Sequence, residues 1–275
     1  MEVISASDVK KLRDMTGAAM MDCKKALTES NGDFEAAIDI LRKKGQKVSA
    51  ARADRSASEG SVFMHTNGKV GYLVALNCET DFVAKNQDFL TLGKNILDAA
   101  VTKQLKTMEQ LQAALVEGRS VAEHIVDLVG KIGEKIEVSA FEVLESEQVI
   151  SYIHTGSKLG VLVALANTNG ANLEEAGRDV AMQIAAMSPI AVNKEDVDAT
   201  TIQREIEIGK EQARAEGKPE EMLEKIALGK LNKFYQERTL LNQEFVKEAK
   251  TTVAQYLDRV QKGLTVSAFR RVSIG

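Results

Sequence analysis

Two carboxylates and a hydroxyl stand side by side after the apolar run at residues 71–76. They are Glu79, Thr80 and Asp81, within the segment Asn-Cys-Glu-Thr-Asp-Phe-Val-Ala-Lys at residues 77–85. Paired carboxylates can share protons in acid–base catalysis, and clustered carboxylate oxygens can bind a divalent cation. Such a cation takes about six or more oxygen ligands, so Asp81 with Glu79 nearby gives thin support for a metal site.

The other chemically active side chains form no recognisable catalytic motif. His65, His124 and His154 are far apart in sequence, and the cysteines Cys23 and Cys78 show no Cys-x-x-Cys or zinc-type spacing. A structural role at a strand end is the first interpretation of His65 and His154, with a catalytic pair as the alternative. The chain also lacks a phosphate-binding glycine loop, a dinucleotide fingerprint and a nucleophile elbow. We therefore predict a protein that is not an enzyme and has no cofactor and no metal.

Length and composition are those of an ordinary globular protein. The 275 residues allow one large domain or two to three small ones, and 44% are hydrophobic and 28% charged. A net charge of −4 does not favour binding to nucleic acid or to an anionic membrane. No apolar run reaches the roughly 18 residues of a membrane span, and no secretory signal is visible. We expect a cytoplasmic location.

Residues 1–50 are predicted to form a small helical domain. Ser7 is the expected cap of a first helix, Asp33 that of a third, and Gly45 its left-handed stop. Three helices of this size are similar to a ubiquitin-associated-type bundle. The polar residues 51–60 show no periodicity and predict a linker.

The rest of the chain contains an internal duplication. Residues 64–76 align without gaps to residues 153–165, at a constant offset of 89. Each copy predicts a β-hairpin with a polar turn, followed by a helix. The Asp-Phe-Val segment follows only the first hairpin. An addition to one copy of a repeated scaffold suggests a role beyond packing.

Each copy also ends in the same way. The sequence Val-Ser-Ala-Phe occurs at residues 138–141 and 266–269, and an amphipathic helix is predicted before each, at residues 121–132 and 253–261. This offset of 128 exceeds the first offset by 39. The second copy therefore carries an insertion.

The insertion is predicted to be a helical hairpin. A charged helical stretch, the turn Gly-Lys-Pro and a second amphipathic stretch follow one another at about residues 190–245. A narrow apolar seam suggests a projecting coiled-coil arm. The predicted fold is α+β, with a first core subdomain at residues 61–146 and a related second one, which carries the arm, at 147–275.

The Thr-Asp-Phe-Val segment at residues 80–83 has two interpretations. In one, Thr80 or Asp81 caps the next helix and Phe82 folds back into the core. In the other, the segment is a protruding turn in which an aromatic side chain beside a carboxylate anchors a partner. Local sequence leaves both open.

A methionine pair stands out in the N-terminal domain. Met20 and Met21 are core filler in one interpretation. Two adjacent helical residues do not both point inward easily, so the alternative is an adaptable apolar surface for a partner, with Arg13 nearby.

These two segments resemble the translation elongation factor Ts family. Its N-terminal pattern, from Leu-Arg through Thr-Gly to Met-Met-Asp-Cys-Lys-Lys-Ala-Leu, is matched at residues 12–27, and its second pattern at residues 77–85. The predicted order of a ubiquitin-associated-like domain, two related subdomains and a coiled-coil insertion is also similar. Two residues depart from the family pattern: Ala19 replaces an expected Gly, and Ala75 replaces a common Glu.

The resemblance implies a guanine nucleotide exchange factor of translation elongation, acting on the GTPase elongation factor Tu. The segment implied to disturb the Mg²⁺ site of Tu and release GDP, so that GTP can rebind, consists of Thr80, Asp81, Phe82 and Val83. Arg13, Met20 and Met21 are implied to contact the nucleotide-binding domain, and His154 another domain of Tu.

Tu is thus the expected partner, without direct contact to nucleic acid or membrane. A dimer, or a 2:2 complex with Tu, stays open, as does contact between the arm and Tu. A ribosome- or RNA-associated binding module is the competing hypothesis, which the acidic balance and the missing basic–aromatic pattern disfavour. The third hypothesis is an enzyme that uses Glu79 and Asp81 as a carboxylate pair.

Overall fold

The computed structural model describes residues 4–275 and confirms the α+β class. Residues 1–3 of the predicted N-terminal domain lie outside the described part. The helices are α1 (Ala6–Thr16), α2 (Met20–Glu29), α3 (Phe34–Arg52), α4 (Asp81–Ala84), α5 (Gln87–Thr102), α6 (Met108–Ala113), α7 (Val121–Ile132), α8 (Glu174–Met187), α9 (Ala199–Ala215), α10 (Glu220–Arg238) and α11 (Val253–Val260). The strands are β1 (Glu59–Thr66), β2 (Val70–Cys78), β3 (Leu115–Val116), β4 (Arg119–Ser120), β5 (Ile136–Glu145), β6 (Gln148–Ile153), β7 (Leu159–Ala166) and β8 (Thr265–Ser273).

Helices α1–α3 form the N-terminal bundle. Its small core is built from one face of each helix and includes Leu12, Cys23 and Leu27, all fully buried. Ser5, not the predicted Ser7, caps α1, because its side chain pairs with Asp8 three residues on to form a capping box.

The prediction that Gly45 ends the third helix is wrong. The helix continues through Gly45 to Arg52, into the predicted linker. Gly45 lies instead where α3 crosses α7, and a Cβ added to Gly130 of α7 would come within 2.8 Å of the Gly45 Cα atom. A glycine after an apolar helical pattern can mark either the end of a helix or a close crossing of two helices. At Gly45 the packing of α7 shows that it is a crossing.

The two three-stranded sheets have matching registers. The first has the order β1-β2-β5 and the second β6-β7-β8, and all neighbouring strands are antiparallel. Val74 pairs with Phe141 in the first sheet, and Val163 pairs with Phe269 in the second. Both sheets have a register shift at the same point of the repeated sequence, after Ala75 and after Ala164.

The sheets pack face to face, and the helices cover their outer faces. A cluster that includes Leu73, Val149 and Leu162 lies between the sheets. Helices α5 and α7 cover the first sheet, and α8 and α11 cover the second. Gly71 and Gly160 are equivalent in the repeat, and a Cβ on either would come within 2.7 Å of a valine methyl of the opposite sheet. These two glycines permit the close approach of the sheets.

The inserted helices α9 and α10 form an antiparallel hairpin, called the arm below. Gly209 and Ala227 lie at its seam, where a Cβ on Gly209 would be 3.1 Å from the Ala227 Cα atom. At its base, the buried side chain of Gln183 in α8 donates to the Gln243 side chain and accepts from the backbone N–H of Val246.

No helix within residues 4–275 combines the length and the apolar character that a membrane crossing requires.

Candidate functional site: an exposed turn and a methionine surface

Strand β2 leads directly into the one-turn helix α4, and Thr80 makes the junction. The Thr80 side chain accepts a hydrogen bond from the backbone N–H of Val83, as a helix N-cap does. Just before it, the buried Cys78 thiol donates to the Thr80 carbonyl oxygen at 3.2 Å. Burial, with the nearby Glu134 carboxylate, raises the pKa of Cys78 to about 12, so its thiol is not a nucleophile at neutral pH.

Phe82 points into solvent from this turn. Its side chain is 81% exposed, whereas the next two residues, Val83 and Ala84, are buried against the first sheet and its helices. The alternative that Phe82 folds back into the core is therefore wrong. The helical cap, predicted as part of that alternative, is present together with the protruding aromatic ring.

The two carboxylates beside the turn have separate partners. Glu79 accepts from the Lys135 backbone N–H at 2.7 Å and from Arg52, and these contacts, the Lys135 hydrogen bond first, lower its pKa. Asp81 instead binds Lys85 at 2.7 Å in solvent, and this hydrogen bond lowers the pKa of Asp81. Each carboxylate is thus held ionised by its own partner, which does not suit a proton-sharing pair. Within residues 4–275 no group of three or more potential metal ligands occurs.

The N-terminal bundle presents its methionines outward. Met15, Met20 and Met21 are each more than half exposed and are called the methionine surface below, while Cys23 and Leu27 of the same helix α2 are buried. The core-filler interpretation of Met20 and Met21 is therefore wrong. Arg13 is also exposed, in α1. Exposed, flexible apolar side chains and an exposed arginine on the same small bundle suit a protein partner.

Polar contacts link this bundle to the elements around the exposed turn. Arg52, the last residue of α3, binds Glu79 with Nη1–Oε distances of 3.1 and 3.2 Å. Lys131 of α7 binds Asp88 of α5 at 2.7 Å, and its ammonium group lies beside Gly17 at the turn between α1 and α2.

Comparison with known proteins identifies the family. The family profile described as Elongation factor TS matches residues 79–275, which is more than half of the chain. The elongation factor Ts of Cytophaga hutchinsonii is 63% identical, and the alignment covers 100% of both chains. Those of Amoebophilus asiaticus and Christiangramia forsetii are 53% and 50% identical, with at least 99% of each chain covered. The chain belongs to the elongation factor Ts family. It is an elongation factor of protein biosynthesis with a nucleotide-exchange role.

Both departures from the elongation factor Ts pattern fit their surroundings. Ala19 is the N-cap of α2 with φ −61° and ψ 142°, an extended conformation that does not require glycine. Ala75 is fully buried between the two sheets, where its small apolar side chain packs without burying a charge.

His154, predicted as a partner-binding residue of the second core subdomain, lies just past the end of β6. Its side chain is exposed, and Nδ1 lies 2.9 Å from the Tyr152 hydroxyl. His65 is exposed on β1, and His124 of α7 bonds the Val116 carbonyl oxygen through Nε2. The three rings have different surroundings, which gives the catalytic-pair alternative no support.

Sequence reasoning missed three residues around the exposed turn: Arg52, Glu134 and Lys135. Arg52 and Glu79 are 27 positions apart, and Thr80 and Glu134 are 54 apart. No local spacing signals such contacts, because they depend on where α3 and α7 end in the folded chain.

Proposed function

We propose that this chain is the guanine nucleotide exchange factor of elongation factor Tu in the cytoplasm. It binds Tu–GDP, disturbs the Mg²⁺ site of the GTPase and promotes release of GDP, so that GTP can rebind. The observation that carries the proposal is the exposed Phe82 ring on a turn whose flanking residues are buried or hydrogen-bonded. A large apolar side chain held in water by a fixed backbone is a typical interface anchor.

Phe82 acts on the partner by inserting between its helices. Mg²⁺ neutralises much of the diphosphate charge, so a small displacement of its ligands weakens the binding of GDP. The Asp81 carboxylate is ionised at neutral pH, and its hydrogen bond to Lys85 lowers its pKa further. Thr80 and Val83 hold the turn by the cap and by burial, respectively.

The exchange needs no chemical step. The factor binds nucleotide-free Tu more tightly than Tu–GDP, and by linkage the nucleotide weakens binding of the factor by the same ratio. No covalent bond is made or broken, so a catalytic residue is not required.

Two further surfaces are proposed to bind Tu. Arg13 with Met20 and Met21 contacts the nucleotide-binding domain, and the exposure of all three side chains supports this assignment. His154 contacts another domain of Tu from the second sheet. Three separate contacts would fix the orientation in which Phe82 enters.

We also propose the domain division made above. The N-terminal domain comprises residues 1–50, the linker 51–60, and the two core subdomains 61–146 and 147–275, with the hairpin inserted at about 190–245. The paired sheets and their matching register shifts support two related halves. A dimer, or a 2:2 complex with Tu, and contact of the arm with Tu are proposed as further assembly modes.

The test is the release of a fluorescent GDP analogue from purified Tu. We expect the protein to accelerate release in a saturable manner, and an excess of unlabelled GDP prevents rebinding of the analogue. Acceleration equal to that given by an unrelated protein of similar charge would reject the proposal.

A further inference from the structure

The exposed turn depends on a residue that lies 54 positions away. One Glu134 carboxylate oxygen accepts the Thr80 backbone N–H at 3.0 Å, and the other accepts the Thr80 hydroxyl at 2.8 Å. The hydroxyl oxygen in turn accepts the Val83 N–H. One side chain thus accepts hydrogen bonds from both donors of Thr80, the residue that caps α4.

Glu134 itself is fixed by the end of α7. Gly133 before it adopts the left-handed conformation, with φ 82°, and its N–H donates to the Val129 carbonyl oxygen. Lys135 after it donates its backbone N–H to Glu79. Adjacent residues of the loop at 133–135 therefore hold the two residues that precede α4: Glu134 binds Thr80, and Lys135 binds Glu79.

Helix α4 needs such support from outside. It has four residues, and a single helical turn is not stable alone. The Phe82 ring, being 81% exposed, contributes almost no packing that could hold the backbone. Burial of Val83 holds one end of the turn, and the Glu134–Thr80 contact holds the other.

We propose that Glu134 is a positioning residue of the exchange site. By binding Thr80, Glu134 holds α4 in one orientation, so that Phe82 is already ordered before it meets the partner. The expected effect of Glu134 on GDP release rests on the proposed exchange function, but the Glu134–Thr80 contact can be tested without the partner. A preordered anchor avoids the entropy loss of ordering during binding.

The first test uses the free full-length protein. Since the chain has four tyrosines but no tryptophan, Phe82→Trp introduces a single tryptophan that can be excited selectively at an exposed position. In that background, we expect Glu134→Ala to add a fast, large-amplitude component to the anisotropy decay and to speed hydrogen exchange of the Thr80 amide at least tenfold, roughly the effect of losing a hydrogen bond to a charged group.

Matched variants separate the contact from a general loss of structure. Glu134→Gln keeps a carbonyl oxygen for the Thr80 N–H and an amide that can donate to the Thr80 hydroxyl, so we expect it to restore most of the order. Thr80→Val removes the hydroxyl and keeps the backbone N–H. The double variant Thr80→Val with Glu134→Ala should change the anisotropy decay and the amide exchange by less than the sum of the two single variants. Glu174→Ala removes an exposed carboxylate of α8 and should change neither signal.

The second test measures GDP release from Tu with Phe82 intact. We expect Glu134→Ala to lower the maximal stimulated rate about tenfold, since a hydrogen bond to a charged group is lost, and Glu134→Gln to restore it. An unchanged anisotropy decay and Thr80 amide in Glu134→Ala would overturn the positioning role. If the wild type fails to accelerate GDP release while the anisotropy result holds, the exchange function fails and the structural role of Glu134 stands.

Discussion

Arg52 and Glu79 connect the N-terminal bundle to the exposed turn that carries Phe82. One guanidinium nitrogen of Arg52, at the end of α3, lies within 3.2 Å of both carboxylate oxygens of Glu79, which directly precedes Thr80. The methionine surface and Phe82 are therefore parts of one connected scaffold. Docking of the bundle on Tu would fix where Phe82 enters.

We predict that Arg52→Ala weakens binding to Tu. Without the Arg52–Glu79 pair, α3 is no longer held to the end of β2, so the methionine surface and the Phe82 turn must be ordered relative to each other on binding. We therefore expect Kd to rise by a factor of about 3 to 10. Unfolding free energy should fall by about 1 kcal/mol, because the pair is only partly buried. Isothermal calorimetry with nucleotide-free Tu measures Kd. Lys47→Ala, which removes an exposed cation of the same helix α3, is the control; an equal effect of both variants would contradict a specific role for Arg52.

We predict that the contribution of Glu79 to stability is lost in acid. The Lys135 N–H and Arg52 hold the folded-state pKa of Glu79 below its usual value of about 4.3. Its stabilising effect is therefore complete above that pH and disappears as the pH falls through the folded-state pKa. Urea unfolding of wild type and Glu79→Gln at a series of pH values measures this. The difference should be constant near neutrality and shrink below about pH 4, whereas a difference independent of pH would show that ionisation of Glu79 is not involved.

We predict that Met20→Ser with Met21→Ser weakens binding to Tu without unfolding the bundle. Both side chains are more than half exposed in the free protein, so they contribute little to its core. Loss of about 1 kcal/mol per anchor would raise Kd roughly 30-fold. Titration of GDP release against factor concentration separates this effect from the maximal rate. Met187→Ser, at an exposed methionine of α8, is the matched control; similar titration curves for the double variant and wild type would remove the methionine surface from the interface.

We predict opposite effects of alanine at two helical glycines. Gly130→Ala places a methyl group 2.8 Å from the Gly45 Cα atom, forcing α3 and α7 apart at a cost of about 1–3 kcal/mol. Gly229→Ala, in α10, meets no atom within 4 Å and should stabilise by about 0.5–1 kcal/mol through helix propensity. Chemical denaturation measures both. Equal stability of Gly130→Ala and wild type would show that the two helices do not cross this closely.

Regular elements could be predicted from the sequence wherever local spacing carried the signal. The predicted helix at residues 121–132 matches α7, because its apolar residues recur with the helical period. The repeated hairpins can also be predicted, because each pairs two strands that follow one another in the chain across a short turn. Gly45 was misassigned because the same residue serves a helix end and a close helix crossing, and only α7 distinguishes them.

The candidate site could be predicted only in part. The local pattern at residues 80–83 indicated both a cap and a protruding aromatic, and the structure contains both. Which way Phe82 points depends on which residues of α4 are buried, Val83 and Ala84, and on how the start of α4 is held at Thr80, which Glu134 binds. Contacts between residues more than fifty positions apart leave no trace in spacing, so Glu134 could be found only in the folded chain.

Phe82→Ala tests most directly whether Phe82 drives nucleotide release. The ring is 81% exposed, so its removal should leave the fold intact, as circular dichroism and thermal unfolding would verify. The measurement is the maximal rate of fluorescent GDP release from Tu at saturating factor. We predict at least a tenfold loss of the stimulated rate, roughly the effect of removing one interface anchor, with binding to Tu retained through the other surfaces. A maximal rate equal to that of wild type would contradict this role of Phe82.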